Sequence, residues 1–327
     1  MKIQSNSILF FKNLFTEHWK FLALNAACKA NLFDSIQSNP ITISNLAKTK
    51  HFNFIILKNL IKVLEQMNLI KFNDPNSKLQ LTSKGMLFTE TSPQSLKHAC
   101  MNWAGPHLNA WQNLDYTLKT GKSSFKHLYG YNFFDYLNKN PKELDNYHKA
   151  MYEYARDDYK DIADIIDFSK HESIVDVGGG YGAAISIIQR KNPQVNCILF
   201  DLPKVIIKAP VQNVNKISGN FFKHVPNCSA ILLTRILHDW DNERASTILS
   251  NCSKALPIKG TLYIIENCSD LINDDLNLLS LNMSVMCQSY ERNCKEYIKL
   301  AQKHCLNFKK TISLNALQSI LIFKKRT

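Results

Sequence analysis

The chain has 327 residues, an apolar fraction of 45% and a formal net charge of +13 at neutral pH. This length suits two ordinary domains or one large one, and the composition is typical of a globular protein rather than a disordered or fibrous one. The excess charge is mostly lysine, and no arginine precedes Arg156. Because arginine is the usual bidentate reader of guanine, the charge pattern favours a solvated lysine surface over DNA-sequence recognition.

The nine cysteines are scattered from Cys28 to Cys305 without a C-x-x-C pair. This pattern is typical of reduced thiols in the cytoplasm and argues against a disulfide framework or a zinc site. No apolar run is long enough to span a bilayer, since Lys12 and Lys58 interrupt the two best candidates, and the N-terminus carries no cleavable signal. We therefore expect a cytoplasmic protein with no membrane partner.

Residues 1–95 form the first predicted domain. Apolar residues recur at helical spacing in three segments, and two short β-like runs follow around a turn at Asp74-Pro75-Asn76, which is the layout of a winged helix. The helix at about 54–67 is apolar nearly all round, whereas a DNA-recognition helix needs a polar face. We expect this domain to mediate homodimerisation without binding nucleic acid. A winged-helix regulator that senses a ligand stays an alternative.

Residues 96–168 are predicted to form a helical, aromatic-rich connector that contributes to a substrate pocket. From residue 169 to 327, short β-rich runs alternate with helices at about 182–191, 203–209, 242–255 and 293–304. Such alternation predicts an α/β domain with a mostly parallel, Rossmann-like sheet covered on both faces. In sheets of this kind, ligands bind at the C-terminal ends of the strands.

The first predicted strand ends in DVGGGYG, which begins at Asp176 and leads into a helix. Glycines here let the backbone turn sharply and approach a ligand, and Asp201 ends the next strand, where an acid can bind ribose hydroxyls. The spacing of Gly178, Gly180 and Ala183 also satisfies the dinucleotide fingerprint, so an NAD-dependent oxidoreductase stays an alternative. Asp176 favours S-adenosylmethionine, because a carboxylate suits the methionine ammonium and would repel a pyrophosphate.

A third apolar run, LLTRIL, ends in the polar cluster HDWDNE, which starts at His238. Polar strand exits are usually plain solvated loops, but this one is expected to end beside the glycine turn. An imidazole there could take the proton of a hydroxyl group while that group attacks an electrophile. No H-x-x-x-H motif or cysteine pair accompanies the cluster, so we expect no metal ion.

The segments VDVGGGYG, FDLPKVI, GNFF, 232–266 and NMSVMCQSYERN, in this order, resemble the metal-independent small-molecule O-methyltransferases, which include plant caffeate-type and hydroxyindole-type enzymes. The resemblance covers about residues 20–323. It implies a class I methyltransferase fold with an N-terminal winged-helix dimerisation domain. It also implies S-adenosylmethionine as methyl donor and a small molecule with an aromatic hydroxyl group as acceptor.

The resemblance further implies roles for individual residues. His238 is the expected catalytic base, and Glu266 and Glu291 would hold the tautomer of its imidazole and stabilise the charged form. The expected cofactor contacts are Asp176, Gly178, Gly180, Asp201, Asn220, Phe221 and Arg235. The expected substrate-pocket residues are Met101, Trp111 and Met151. The family commonly has aspartate in place of Asn220, and its plant members have lysine in place of Thr234; these departures concern cofactor affinity rather than a catalytic group.

Overall fold

The computed structural model describes residues 5–72, 77–270 and 274–326, excluding the side chains of residues 5, 6 and 274. The chain divides into two compact units, Met1–Gly105 and Pro106–Thr327. The first unit extends beyond position 95 because Cys100 is buried in its core and accepts a hydrogen bond from Asn25 through the backbone carbonyl. Within the described ranges, no helix combines the length and the apolar character that crossing a bilayer requires.

The first unit is mainly helical. Its elements are α1 (Ser5–Lys29), α2 (Leu32–Ser38), α3 (Ile43–Lys50), α4 (Phe54–Gln66), β1 (Ile70–Lys71), β2 (Gln80–Leu81), α5 (Ser83–Met86) and α6 (Lys97–Trp103). Thr42 and Asn53 begin α3 and α4 by accepting backbone N–H groups through their side chains. The two strands pair antiparallel, with Ile70 opposite Leu81. The predicted turn at residues 74–76 lies outside the described residues.

Two helices of the first unit expose apolar side chains. In α4, Leu57, Ile61 and Leu64 are buried in the core. The exposed apolar residues at the start of α4 are Phe54, Ile55 and Ile56, and those along α1 include Ile8, Leu9, Phe10, Phe11, Leu14, Phe15 and Trp19. Clustered exposed apolar side chains mark an interaction surface.

The second unit opens with helices and continues as alternating strands and helices. Its first helices are α7 (Pro106–Trp111), α8 (Leu114–Thr120), α9 (Ser124–Tyr129), α10 (Phe133–Lys139), α11 (Pro141–Asp158) and α12 (Ile162–Ile165). The alternating part comprises β3 (Ser173–Val177), α13 (Ala183–Lys191), β4 (Asn196–Asp201), α14 (Pro203–Ile206), β5 (Asn215–Ser218), β6 (Ala230–Thr234), α15 (Asn242–Ala255), β7 (Thr261–Asn267), α16 (Asp274–Cys287), α17 (Cys294–Gln302), β8 (Leu306–Ser313) and β9 (Gln318–Lys325).

The seven strands of this unit form one sheet in the order β5-β4-β3-β6-β7-β9-β8. Strands β3 to β7 run parallel, and β9 runs antiparallel to both β7 and β8. Alternate residues bury opposite faces: Ile174 packs in one apolar cluster and Val175 in the other. The predicted mostly parallel Rossmann-like sheet is thus confirmed. The strand order reverses between β3 and β6, and the carboxyl ends of strands at such a point are where ligands bind in open α/β sheets.

Candidate active site

The turn after β3 has a left-handed backbone at three glycines. The φ angles are 72° at Gly178, 59° at Gly180 and 78° at Gly182. A Cβ atom added to Gly178 would lie 2.6 Å from Cδ1 of Ile236, at the end of the neighbouring strand. Glycine is therefore favoured here by its φ angle, and the turn lies directly against the segment that leads to His238.

Two carboxylates lie beside this turn. Asp201 accepts the N–H of Gly180 through Oδ2 at 2.9 Å and the N–H of Leu202 through Oδ1 at 2.6 Å. Burial raises the pKa of Asp201 to about 6. Asp176 is 1% exposed, and neither carboxylate oxygen has a partner at hydrogen-bond distance among the described residues. Burial, followed by the charge of Asp201, raises its pKa to about 7, against an opposing effect of the nearby Ile185 backbone N–H. A buried carboxylate without a partner fits a cationic group of a ligand.

The segment after β5 contributes Asn220 and Phe221. The Oδ1 atom of Asn220 accepts the backbone N–H of Phe222 at 2.9 Å, so this side chain shapes its own turn. The Phe221 ring packs against the Phe222 ring, with centroids 4.8 Å apart, and its Cε1 atom is 3.4 Å from the position of a Cβ on Gly178. The segment therefore borders the glycine turn, where the predicted cofactor contacts would be made.

His238 lies in a 3-10 turn, Leu237–Asp239, that follows β6, and only 5% of the residue is exposed. Its Nδ1 atom is 3.1 Å from Oε1 of Glu291. Its Nε2 atom has Oδ1 of Asp239 at 3.6 Å, which is too long for a hydrogen bond. Glu291 therefore fixes the orientation of the ring and leaves Nε2 as the nitrogen that can meet an incoming group.

Glu266, near the end of β7, binds the backbone of this turn rather than the imidazole ring. Its Oε1 atom accepts the N–H groups of Ile236 at 3.0 Å, Leu237 at 2.7 Å and His238 at 3.4 Å. A carboxylate that satisfies the first N–H groups of a helical turn acts as a cap. The family resemblance implies the same role for Glu266 and Glu291, whereas in the structure Glu291 contacts the ring and Glu266 contacts the backbone.

Two residues that the sequence analysis did not assign complete the surroundings of the turn. Arg292 is 1% exposed and donates through Nη1 to the carbonyl of Leu237 at 2.8 Å and through Nη2 to that of Trp240 at 2.7 Å. Asn267 donates through Nδ2 to Oε1 of Glu291 at 3.2 Å. Arg292 directly follows Glu291 in the chain, and Asn267 directly follows Glu266. This adjacency is the feature of the sequence that could have indicated their place in the site.

The charges of the site are coupled. Arg235, which has a left-handed φ of 57°, places Nη2 3.4 Å from Oε1 of Glu291. Burial and Arg235 act to lower the pKa of His238, but Glu291, Asp239 and Glu266 outweigh them and raise it to about 9. Burial acts to raise the pKa of Glu291, but His238 and Arg235 outweigh it and lower that pKa. At neutral pH, His238 without a ligand beside it is therefore an imidazolium paired with a carboxylate.

His238, Glu266 and Glu291 converge so closely that one ligand atom from each lies within 4.8 Å of the others. This arrangement nevertheless does not fit a divalent cation well. Three backbone N–H groups already engage Oε1 of Glu266, and the Arg235 guanidinium lies beside Glu291. A metal ion would also have to displace the proton that joins His238 to Glu291. The charge balance fits a site that works without metal.

The three predicted pocket residues lie on different elements. Trp111 ends α7, and its Nε1 donates to Oδ1 of Asn282 on α16 at 2.8 Å. Met151 is half-buried in α11, whereas Met101 belongs to the first unit and packs against its core. His148, also in α11, was not predicted, although its ring lies beside the glycine turn. A substrate-binding role for Met101, Trp111 and Met151 stays a prediction.

This architecture is shared with known methyltransferases. A family model described as an O-methyltransferase domain matches residues 111–306. Phenazine O-methyltransferase of Lysobacter antibioticus is 27% identical over 295 residues, which are 87% of this chain and 86% of that relative. The 3-amino-4-hydroxybenzoate 4-O-methyltransferase of Streptomyces cremeus is 31% identical over 258 residues, 76% of this chain and 70% of that relative.

A solved structure is similar over the full length of the chain. The crystal structure of human N-acetylserotonin methyltransferase in complex with S-adenosylmethionine covers 100% of both chains, with a TM-score of 0.88 and 20% identity. At this identity the likeness concerns the fold alone. The class I methyltransferase fold implied by the sequence is confirmed.

We expect the folded protein to lose stability as the pH rises through the pKa of His238. That pKa is about 9 in the folded chain and about 6.5 in an unfolded one. Because the raised value favours the protonated folded state, the stabilisation is complete below about pH 6.5 and is lost as the pH approaches about 9. Glu291→Gln removes the carboxylate that faces Nδ1, so it should lower the pKa of His238. The pH range over which stability is lost should then become narrower.

The measurement is the free energy of unfolding in urea between pH 6 and pH 9.5 for the wild type and Glu291→Gln. His127→Gln, which changes an exposed histidine, serves as the control and should follow the wild-type curve. If Glu291→Gln also followed that curve, the ion pair would not set the pKa of His238.

Proposed function

Because the chain belongs to the O-methyltransferase family, we propose that it methylates a hydroxyl group of a small aromatic molecule with His238 as general base. The enzyme class and its methyl donor, S-adenosylmethionine, follow from the family. An aromatic acceptor is supported by two relatives named for phenazine and aminohydroxybenzoate substrates. The observation that carries the proposal is the buried His238 ring, held at Nδ1 by Glu291 in the turn that follows β6, two residues after Ile236, which packs against the glycine turn.

The residues at the strand ends fit the methyl donor. Asp176, buried without a partner, would face the ammonium of the methionine moiety. Each oxygen of Asp201 accepts one backbone N–H and keeps acceptor capacity for a ribose hydroxyl. The left-handed glycines let the backbone approach the ligand closely. Bound S-adenosylmethionine supplies a methyl group on a cationic sulfonium. Arg235, a predicted cofactor contact, has its nearest charged partner in Glu291, so we infer that it primarily balances charge.

His238 prepares the acceptor for attack. A phenol with a pKa of about 10 is mostly neutral at pH 7 and is a weak nucleophile in that form. Neutral His238 donates its Nδ1–H to Glu291 and presents the lone pair of Nε2 to the hydroxyl proton, which moves to Nε2 as the oxygen attacks. Glu291 and Asp239 then stabilise the imidazolium. Since the pKa of His238 is about 9, it is close to that of a phenol, and kcat/KM should rise with pH until the free imidazolium is deprotonated.

Other functions receive less support. A dinucleotide-dependent oxidoreductase would bring a pyrophosphate to a turn that carries the carboxylate of Asp176. A ligand-sensing regulator has no need for an imidazole oriented by a buried carboxylate. DNA binding is also disfavoured, because the start of α4 exposes Phe54, Ile55 and Ile56 rather than groups that read bases.

The first unit is proposed to form a homodimer. The exposed apolar residues of α1 and α4 would lose contact with water if the same surface of a second chain covered them, as in a two-fold symmetric interface. Phe15 is 66% exposed, Trp19 62% and Ile55 66%. Aromatic and aliphatic side chains of this kind are typical of the buried centre of a dimer interface.

A cytoplasmic location is part of the same proposal. Each of the nine cysteines is a free thiol. Free thiols are typical of proteins that work in a reducing compartment.

Replacing His238 with glutamine should lower kcat by roughly 10²–10⁴-fold, because glutamine cannot accept the hydroxyl proton. Binding of S-adenosylmethionine should persist, since the strand-end residues are unchanged. The measurement is methyl transfer from labelled donor to a hydroxybenzoate, a hydroxyphenazine and a hydroxyindole, with donor binding followed by calorimetry. His127→Gln is the matched control.

Full activity of His238→Gln would rule out His238 as the base, and stabilisation by NAD rather than S-adenosylmethionine would rule out methyl transfer.

Placing a charge on the exposed apolar surface should separate the two chains of the proposed dimer. We expect Phe15→Asp and Ile55→Asp to reduce the particle mass in light scattering from two chains to one, because a buried unpaired carboxylate opposes association. Leu118→Asp is the control, since Leu118 is 84% exposed on α8 of the second unit. A wild-type protein with the mass of a single chain would contradict the dimer.

A further inference from the structure

Two thiols and a carboxylate converge outside the methyl-transfer site. One ligand atom from each of Cys268, Asp270 and Cys294 lies within 4.8 Å of the other two. Cys268 is buried just after β7, Cys294 is half-buried at the start of α17, and Asp270 is exposed. We propose that these three side chains bind a divalent transition-metal ion of the zinc class, which has a structural role and takes no part in methyl transfer.

The local backbone already brings the ligands together. The N–H of Ser269 donates to the carbonyl of Arg292 at 3.1 Å, which joins the two segments that carry the thiols. The N–H of Cys294 donates to Oδ1 of Asp270 at 3.3 Å, which holds this carboxylate beside the thiol. A metal ion would therefore meet ligands that are largely positioned in advance.

The separations suit tetrahedral coordination. With metal–sulfur bonds of about 2.3 Å and metal–oxygen bonds of about 2.0–2.2 Å, tetrahedral ligand atoms lie roughly 3.4–3.8 Å apart. The three atoms lie within 4.8 Å of one another, so a bound ion would have to draw them closer by at most about 1 Å. The exposed position of Asp270 gives water access to the fourth coordination position.

The carboxylate distinguishes a metal site from a disulfide. A disulfide would join only the two thiols and leave Asp270 without a role. A divalent cation attracts both thiolates and the carboxylate of Asp270 at once. Two sulfur ligands also select zinc-class ions over magnesium or calcium, which prefer oxygen ligands.

The site lies next to both catalytic-site glutamates in the chain. Cys268 follows Glu266 by two positions, and Cys294 follows Glu291 by three. A bound ion would tie the end of β7 to the start of α17 and so brace the segments that hold the His238 turn and its ring. Metal binding can be measured without methyl transfer, so this inference stands or falls independently of the proposed function.

The test is a titration of the full-length chain, reduced and freed of metal, with Co²⁺. We expect one equivalent to bind per chain, with sulfur-to-cobalt charge-transfer absorption and tetrahedral ligand-field bands, and with displacement by Zn²⁺. Cys294→Ser and Asp270→Asn change partly or fully exposed side chains, so both variants should fold. Each substitution should weaken metal binding at least about tenfold. Even changes to residues that only support a metal's direct ligands lower the affinity by about 10–100-fold.

Two controls separate this site from the rest of the chain. Cys305→Ser removes an exposed thiol elsewhere, and His238→Gln alters the other cluster that could hold metal; both should keep the absorption. Absence of stoichiometric binding to the reduced wild type would overturn the proposal, as would loss of binding in His238→Gln alone. A bond between Cys268 and Cys294 found by peptide mapping before reduction would replace the metal site with a disulfide.

Discussion

The position of His238 depends on two buried side chains, the carboxyl group of Glu266 and the guanidinium of Arg292, that hold the short turn around it. A 3-10 turn of three residues cannot satisfy its own terminal N–H and carbonyl groups, and each one left buried without a partner costs about 1–3 kcal/mol. The carboxylate of Glu266 takes up the N–H groups, and the guanidinium of Arg292 takes up the carbonyls of Leu237 and Trp240. These two side chains let a polar turn lie buried at the end of a strand, where it can meet a ligand.

One carboxylate oxygen of Glu291 then holds the imidazole ring of His238 within this turn. Oε1 of Glu291 has three donors around it: Nδ1 of His238 at 3.1 Å, Nη2 of Arg235 at 3.4 Å and Nδ2 of Asn267 at 3.2 Å. The amide and the guanidinium fix the carboxylate, and the carboxylate fixes the ring and favours its charged form. Because a buried ion pair is costly to desolvate, such a network is better explained by orientation than by overall stability.

The sequence predicts the scaffold well because the scaffold follows periodic patterns. Alternating β and α runs predicted the mostly parallel sheet, and the helix expected at 242–255 is Asn242–Ala255, which Asp241 caps. The helix expected at 203–209 ends at Ile206. In so short a segment, the spacing of apolar residues does not show where a helix ends. The rule that ligands meet strand ends predicted that His238 lies near the glycine turn, and Ile236, two residues before it, packs against Gly178.

The sequence could not predict which atoms meet at the site. Whether Glu266 points to a ring or to backbone N–H groups depends on the path of the turn, which no residue type specifies. The contacts of Arg292 could not be predicted for the same reason, because a buried arginine can donate to any carbonyl that lies nearby. Cys268 and Cys294 are far apart in the chain, without a ligand motif, and meet only because the end of β7 lies beside the start of α17.

The departures from the family pattern at Asn220 and Thr234 lie apart from the proposed base, His238. Asn220 accepts the N–H of Phe222 through its side-chain oxygen, as an aspartate could, so the turn keeps its shape and loses only a charge. At the end of β6, the buried Oγ1 of Thr234 has no hydrogen-bond partner within the described part of the chain. Neither residue is among the hydrogen-bond partners that hold the His238 turn and its ring. Both changes therefore alter the polarity near the strand ends, where the donor would bind, while His238, the proposed proton acceptor, stays in place.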